Sequence, residues 1–256
     1  MTGEREERDV AGAVSNAGGL KIMGLITARG GSKGVPRKNL VPLGGRPLIS
    51  YTIDAALESG LVDRLLVTTD DAEIAEVSRK LGAETPFVRP PRLSGDWDPT
   101  YPVVVHAVEW MAEHEDYVPD YIMVLQPTSP LRSSKDIQKA VAIALENDAD
   151  GVISVYVPKQ HPFWMFELTE DGRFPDFDPR TRELTRRQSL KPQYMLNGAI
   201  YLVKREVILR QDHFYTDRTH ALVMPLRRSM DIDSLADVRI AELIQSDPDR
   251  QEDAGD

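Results

Sequence analysis

The chain has 256 residues, 41% of them apolar, a net charge of -10 and no cysteine. That length supports one large core, or a core with a smaller subdomain, and the lack of cysteine excludes a disulfide framework and zinc-thiolate sites. No apolar run approaches a membrane span, no sustained basic stripe suits nucleic acid, and the start MTGEREERDV lacks the apolar region of a secretory signal, so a soluble cytoplasmic protein is expected, without membrane or nucleic-acid partners.

Residues 1–20 mix charge with Ala, Gly and Ser without periodicity and predict a disordered extension. The next segment, IMGLITARGGSKGVPRKNL, joins an apolar strand to a glycine-rich basic loop. Gly30, Gly31 and Gly34 let the backbone turn tightly and aim N–H groups at an anion. Arg29, Lys33, Arg37, Lys38 and Arg46 fall in a stretch, 10–53, that contains no Asp or Glu, so a polyphosphate is the expected guest. Leu48, Ile49, Ile53, Ala56 and Leu57 keep helical spacing up to Gly60. A strand is expected at 64–68, then a helix capped by Asp70 with Glu73 and ending near Gly82. Further strands are expected at 85–88, 121–126 and 151–157, with helices at 101–115 and, capped by Ser133 and Asp136, to about Asn147.

Strands alternating with helices imply a three-layer α/β fold with a mostly parallel sheet, ligands sitting beyond the carboxyl ends of the strands. Asp70 and residues 126–132 lie at that end. Between 158 and 192 the alternation gives way to a Pro-, Arg- and aromatic-rich stretch, too long for a plain loop in a compact domain and expected to form an arm or subdomain, with a mobile lid as the alternative. The core domain is then 21–245 and the flexible tail 246–256.

Other phosphate loops do not fit the letters. A Walker A loop needs Gly-Lys-Ser/Thr, whereas Lys33 follows Ser32 and precedes Gly34; a dinucleotide fingerprint needs a helix directly after its glycines, whereas Pro36 and a polar run prolong this loop. A second centre is Ser229-Met230-Asp231-Ile232-Asp233. In an extended segment, residues two apart point the same way, so Asp231 and Asp233 can converge on a Mg²⁺ ion while Ile232 packs inward. The alternative is that Asp233 or Ser234 caps the helix 235–244.

The segment ITARGGSKGVPRKNL with the following LGGRPL closely resembles the N-terminal signature of the acylneuraminate cytidylyltransferase family. VTTDDAEIAEVSRKLGAE, LQPTSPLR, NGAIYL and SMDIDS match the same family in the same order, so the resemblance covers about 21–245. It implies a nucleotide-diphospho-sugar transferase (Rossmann-like) fold with a small dimerisation arm. The implied reaction joins CTP to an acidic nine-carbon sugar, giving a CMP-sugar and pyrophosphate with Mg²⁺ as cofactor. It also implies a homodimer, with a dimer of dimers as the larger alternative, in which 158–192 reaches across to the second subunit.

On that reading Arg29, Gly30, Gly31, Ser32 and Lys38 hold the triphosphate, with Arg29, Lys38 and Asp233 as catalytic groups and Asp233 a candidate general base. By resemblance Asn39, Arg89 and Thr100 lie near the cytosine and ribose, and Gln126, Arg187 and Asn197 near the acidic sugar, with Arg186 an alternative to Arg187. Many sialic-acid members carry Arg-Pro where this chain has Met195-Leu196, and a Lys where Trp164 stands. The missing cations open the sugar side to a bulkier or less charged substrate, such as a diacetamido nonulosonic acid, which His161 would contact unless it is a packed loop histidine. Two rivals remain: a nucleotidyltransferase using another base or a Kdo-like acid, and a non-catalytic nucleotide-binding protein.

Overall fold

The computed structural model describes residues 19–32, 34–95, 98–173 and 190–247. In chain order these form β1 (Ile22–Thr27), the short strands β2 (Pro42–Leu43) and β3 (Arg46–Pro47), α1 (Leu48–Glu58), β4 (Arg64–Thr68), α2 (Ala72–Lys80), α3 (Thr100–Glu115) and β5 (Tyr121–Leu125). They continue with α4 (Ser134–Glu146), β6 (Gly151–Tyr156), β7 (Met195–Lys204), α5 (Arg205–Arg210), β8 (Thr219–Val223) and α6 (Leu235–Ser246). No helix among the described residues is long and apolar enough to cross a membrane.

The main sheet has the order β4-β1-β5-β7-β6-β8. All its strands run the same way except β7, which is antiparallel to both neighbours. Side chains alternate across it as the strand period requires. Ile22, Ile26, Leu65, Val67, Met123 and Leu125 enter one core with Ile49 and Ile53 of α1 and Ile137 and Val141 of α4. Met23, Leu25, Leu66, Ile122 and Val124 enter the opposite core with Val104, Val108 and Met111 of α3. Burial on both faces explains why these strands read as continuous apolar runs, and it confirms the three-layer, mostly parallel α/β architecture.

Two local expectations are corrected. Residues 85–88 form no strand: the only pairing there is a bridge from Glu84 to Leu66, and Val88 is 77% exposed. Pro86 has no N–H to give a ladder, and Pro90 and Pro91 close the segment off. The cap of α2 is Asp71, whose carboxylate accepts the N–H groups of Glu73 and Ile74; Asp70 instead accepts the Gly30 N–H at 2.8 Å. The capping box of Ser133 and Asp136 forms as expected. β7, α5 and β8 occupy a stretch whose pattern predicted no element; β7 carries Gly198 at φ 72°, and its register with β6 shifts between Ile153 and Val155. The expected N-terminal extension and C-terminal tail lie almost wholly outside the described residues.

A third, smaller core joins the hairpin β2–β3 to α6 through Leu43, Leu48, Ile232, Val238 and Ala241. Ile232 is fully buried there. Ile232→Ala should therefore lower stability by about 2–5 kcal/mol in urea unfolding, whereas Ser234→Ala, which removes the α6 cap, should lower it by about 1 kcal/mol.

Candidate active site

The loop after β1 is tied down from both ends of the chain. Ser32 Oγ accepts the Lys38 N–H at 3.2 Å and donates to the Val35 carbonyl. Asn39 Nδ2 donates to Arg29 O at 2.9 Å, and Arg29 Nη1 donates to Gly95 O at 2.8 Å. Lys38 Nζ reaches across to Ile232 O at 2.9 Å and Asp233 Oδ1 at 2.8 Å. Gly34 lies against the Asp233 carbonyl so closely that a Cβ has no room. Of the loop cations, Arg29 and Lys38 line the cleft. Arg37, at φ 54°, pairs with Asp71 and Glu73, and Arg46 pairs with Asp54; Lys33 lies outside the described residues.

The cleft beyond the strand ends has a volume of about 550 Å³ and brings together Arg29, Gly31, Ser32, Lys38, Asn39, Arg89, Thr100, Gln126, Asp231 and Asp233. Gly30 is adjacent in the same loop, its N–H held by Asp70. Arg89 is buried, donating to the Thr68 carbonyl and hydroxyl. Burial lowers its pKa to about 10, with Asp70 opposing and Arg29 reinforcing the shift, so it remains a cation at neutral pH. Thr100 opens α3, whose N-terminal end faces the cleft.

Asp231 and Asp233 flank the inward-facing Ile232 as the alternation predicts. Ser234, with Asp237, makes the α6 capping box, so Asp233 is not the cap. Desolvation raises the Asp231 pKa, against a hydrogen bond from Thr128, and the Asp233 charge raises it further. Thr128 also fixes this segment through its carbonyl, which accepts the Ile232 N–H at 2.9 Å. Thr128 stood unassigned within LQPTSPLR; its place directly after a strand end, beside Gln126, was the available signal.

Arg132 of the same motif is a scaffold post. Fully buried and with its pKa lowered by burial to about 10, it donates to Ala199 O at 3.2 Å and, through Nη2, to Thr52 Oγ1 and Gln126 O, both at 3.1 Å. It therefore ties the Gln126 turn to both β7 and α1.

A second cavity, of about 650 Å³, adjoins the first; Gln126 and Asp231 line both. Asn197 lines the second, but its amide is spent inside the fold. Its Oδ1 accepts from Ser154 Oγ at 2.6 Å and Ala199 N at 3.1 Å, and its Nδ2 donates to Ser229 Oγ at 3.0 Å and Met224 Sδ at 3.3 Å. Asn197 thus supports the wall through its packing. Gly198 packs on the Gln126 amide in a left-handed conformation. His161 lines neither cavity: Nδ1 accepts the Phe163 N–H and Nε2 lies 3.2 Å from Lys191 O, as a packed loop histidine. Arg187 and Arg186 lie outside the described residues. Lys159, Tyr156 and Arg227, which lie outside the motifs, line the second cavity with Tyr201 of NGAIYL, to which no role was assigned.

Residues 23–242 match the cytidylyltransferase family model. The chain is 36% identical over 220 residues to the N-acylneuraminate cytidylyltransferase of Streptococcus agalactiae serotype V, covering 85% of this chain and 52% of that protein. It is 32% identical over 228 residues to the pseudaminic acid cytidylyltransferase of Campylobacter jejuni, covering 88% and 96%. It is also 32% identical over 230 residues to the CMP-N,N'-diacetyllegionaminic acid synthase of Legionella pneumophila, covering 87% and 95%. The chain thus spans about half the length of the streptococcal relative and nearly all of the other two. A solved structure of CMP:2-keto-3-deoxy-manno-octonic acid synthetase complexed with CTP superposes with a TM-score of 0.63 at 16% identity, over 88% of this chain and 98% of that one, and shows the shared fold. The family match over most of the chain, with the ordered motifs built around one cleft, makes this chain a member of the cytidylyltransferase family.

Proposed function

We propose that this chain is a cytoplasmic enzyme that transfers the cytidylyl group of CTP to a hydroxyl of an acidic nine-carbon sugar, an N-acylneuraminate or related nonulosonic acid, with release of pyrophosphate. The observation that carries the reading is the pair of adjoining cavities that share Gln126 and Asp231: one is lined by cations and loop glycines, the other lies beside β7. A nucleotide in the first and an acidic sugar in the second meet at those two residues. The names of the Streptococcus, Campylobacter and Legionella relatives agree with both substrates.

In the transfer, a sugar hydroxyl oxygen forms a bond to the α-phosphorus as the bond from that phosphorus to the bridging oxygen of the β-phosphate breaks. The electron pair leaves with pyrophosphate, and the hydroxyl proton passes to a carboxylate of the first cleft, for which Asp233 is the candidate. Arg29, Lys38 and the loop N–H groups neutralise and align the triphosphate. Arg89 and Asn39 stand on the nucleoside side of the same cleft.

The donor set fits Mg²⁺. Asp231 and Asp233 are carboxylates on one face of an extended segment, the Asp233 charge raises the cost of ionising Asp231, and among the described residues no larger cluster of His, Cys, Asp or Glu forms a cage. Two carboxylates with the remaining positions left to phosphate oxygens and water match the habit of this ion. Held by them, Mg²⁺ supplies charge neutralisation for the leaving group.

The reading includes a homodimer built on 158–192, supported by the exposure of Phe163, Trp164, Met165, Phe166 and Leu168. Light scattering should give the mass of two chains.

Pyrophosphate release with Mg²⁺ should occur with CTP, and not with ATP, GTP or UTP, when a nonulosonic acid is present. Release with another nucleotide overturns the choice of base, and tight CTP binding without release from any acid supports a non-catalytic role. Lys38→Ala and Asp233→Ala should each lower kcat on the order of 10²-fold or more; unchanged turnover in either removes that residue from the mechanism. Chelation by EDTA should stop release, and added Mg²⁺ should restore it.

A further inference from the structure

Resting on the reading of Asp231 and Asp233 as the Mg²⁺ carboxylates, we propose that Arg228 is a positioning residue for them, acting through its ion pair with Asp136 of α4. Arg228 closes the 3-10 turn Leu226–Arg228, and Asp231 follows three residues later. Its Nε donates to Asp136 Oδ2 and its Nη2 to Asp136 Oδ1, both at 3.0 Å. A guanidinium forked onto a carboxylate in this way fixes direction as well as distance.

The acidic segment needs such a tether because residues 229–234 lie in neither sheet nor helix: β8 ends at Val223 and α6 begins at Leu235. No ladder sets its place. Several of its fixed points come instead from the stretch 128–136. Thr128 O accepts the Ile232 N–H at 2.9 Å, the Thr128 side chain bonds the Asp231 carboxylate, and Asp136 holds Arg228. Asp136 is itself anchored. It is 2% exposed, and its Oδ2 accepts the Ser133 N–H at 2.9 Å and the Ser133 hydroxyl at 2.8 Å at the head of α4. Arg132, in the same stretch, donates to Gln126 O and Ala199 O. One piece of chain thus sets both residues that the two cavities share, Gln126 at its start and Asp231 against its side.

A buried carboxylate that loses its cation is left uncompensated, so the pair resists separation and the backbone leading from Arg228 to Asp231 is held with it. Mg²⁺ demands near-ideal octahedral geometry at short distances. A small displacement of the two carboxylates is therefore felt in metal affinity before it is felt in contacts to the nucleotide, which draw on Arg29, Lys38 and the loop after β1. Lysine at this position would keep the charge and lose the fork.

The test uses the full chain with Mn²⁺ in place of Mg²⁺, its binding at saturating CTP read as loss of the free-ion EPR signal, beside CTP binding by calorimetry in EDTA. Arg228→Lys should weaken Mn²⁺ binding about 10-fold, the scale on which loss of a partner behind metal ligands is felt, with CTP affinity in EDTA unchanged. The double variant Arg228→Met with Asp136→Asn removes both charges and leaves an amide oxygen to accept at the α4 cap. It should show the same loss with a urea-unfolding midpoint close to that of the parent, and it carries the test where Arg228→Lys fails to fold. Parent-like Mn²⁺ affinity in either folded variant overturns this inference and leaves cytidylyltransfer standing. A parallel fall in CTP affinity in EDTA also overturns it, because it marks a general loss of structure. Failure of the parent chain to bind Mn²⁺ with CTP overturns the metal assignment of Asp231 and Asp233 together with this inference.

Discussion

The contact on which the site depends is the one between Lys38 and the Ile232–Asp233 backbone and carboxylate. It joins a loop near the start of the described chain to a segment near its end, across a sequence separation of 195 residues for Asp233. Lys38 is largely covered, at 15% exposed, whereas Asp233 is 76% exposed. The ammonium group is therefore positioned by protein while the carboxylate faces the cleft. A buried carbonyl partner at Ile232 O fixes the lysine without neutralising it fully, so one cation serves both as a clasp and as charge for the triphosphate. The close seat of Gly34 on the Asp233 carbonyl makes the same junction from the other side.

Around this clasp the fold supplies a rigid frame. The reversed strand β7 lies between β5 and β6 and brings Asn197 and Gly198 to the end of the sheet where the parallel strands deliver their loops. Arg132, buried and bonded to carbonyls and a hydroxyl, holds the turn after β5 to that strand. Buried polar networks of this kind are costly when half satisfied and specify one arrangement when complete. The network of Asn197, Ser154 and Ser229 is of the complete kind.

Much of this was legible in the sequence because the physics was local. The apolar runs of β1, β4 and β5, the 133–136 capping box and the basic glycine loop are each decided by residues within one turn or strand. The alternation Asp231-Ile232-Asp233 likewise showed which side chain goes inward. The misreadings came from long-range competition. Asp70 and Asp71 are equally good caps on paper, and the Gly30 N–H, 40 residues away, decides between them. The partners of the Asn197 amide were likewise not legible, because Ser154, Ser229 and Met224 lie 27 to 43 residues away. Lys159, Arg227 and Tyr201 were given no role because a cavity wall assembled from separate segments carries no spacing signal.

The two capped junctions on either side of the acidic segment have a consequence for how such a chain can vary. Ser229 is bonded to Asn197 and Pro225, and Ser234 is locked to Asp237 at the head of α6. Between these fixed points Asp231 and Asp233 line the cleft, Met230 borders the second cavity, and Ile232 must fill the space between hairpin and helix. Substitution at 231 or 233 exchanges one cleft group for another, but a one-residue insertion or deletion would rotate the frame, driving a carboxylate into the apolar cluster and the isoleucine into the cleft. The segment therefore has a fixed length as well as a fixed composition, and length variation in this chain must fall outside it.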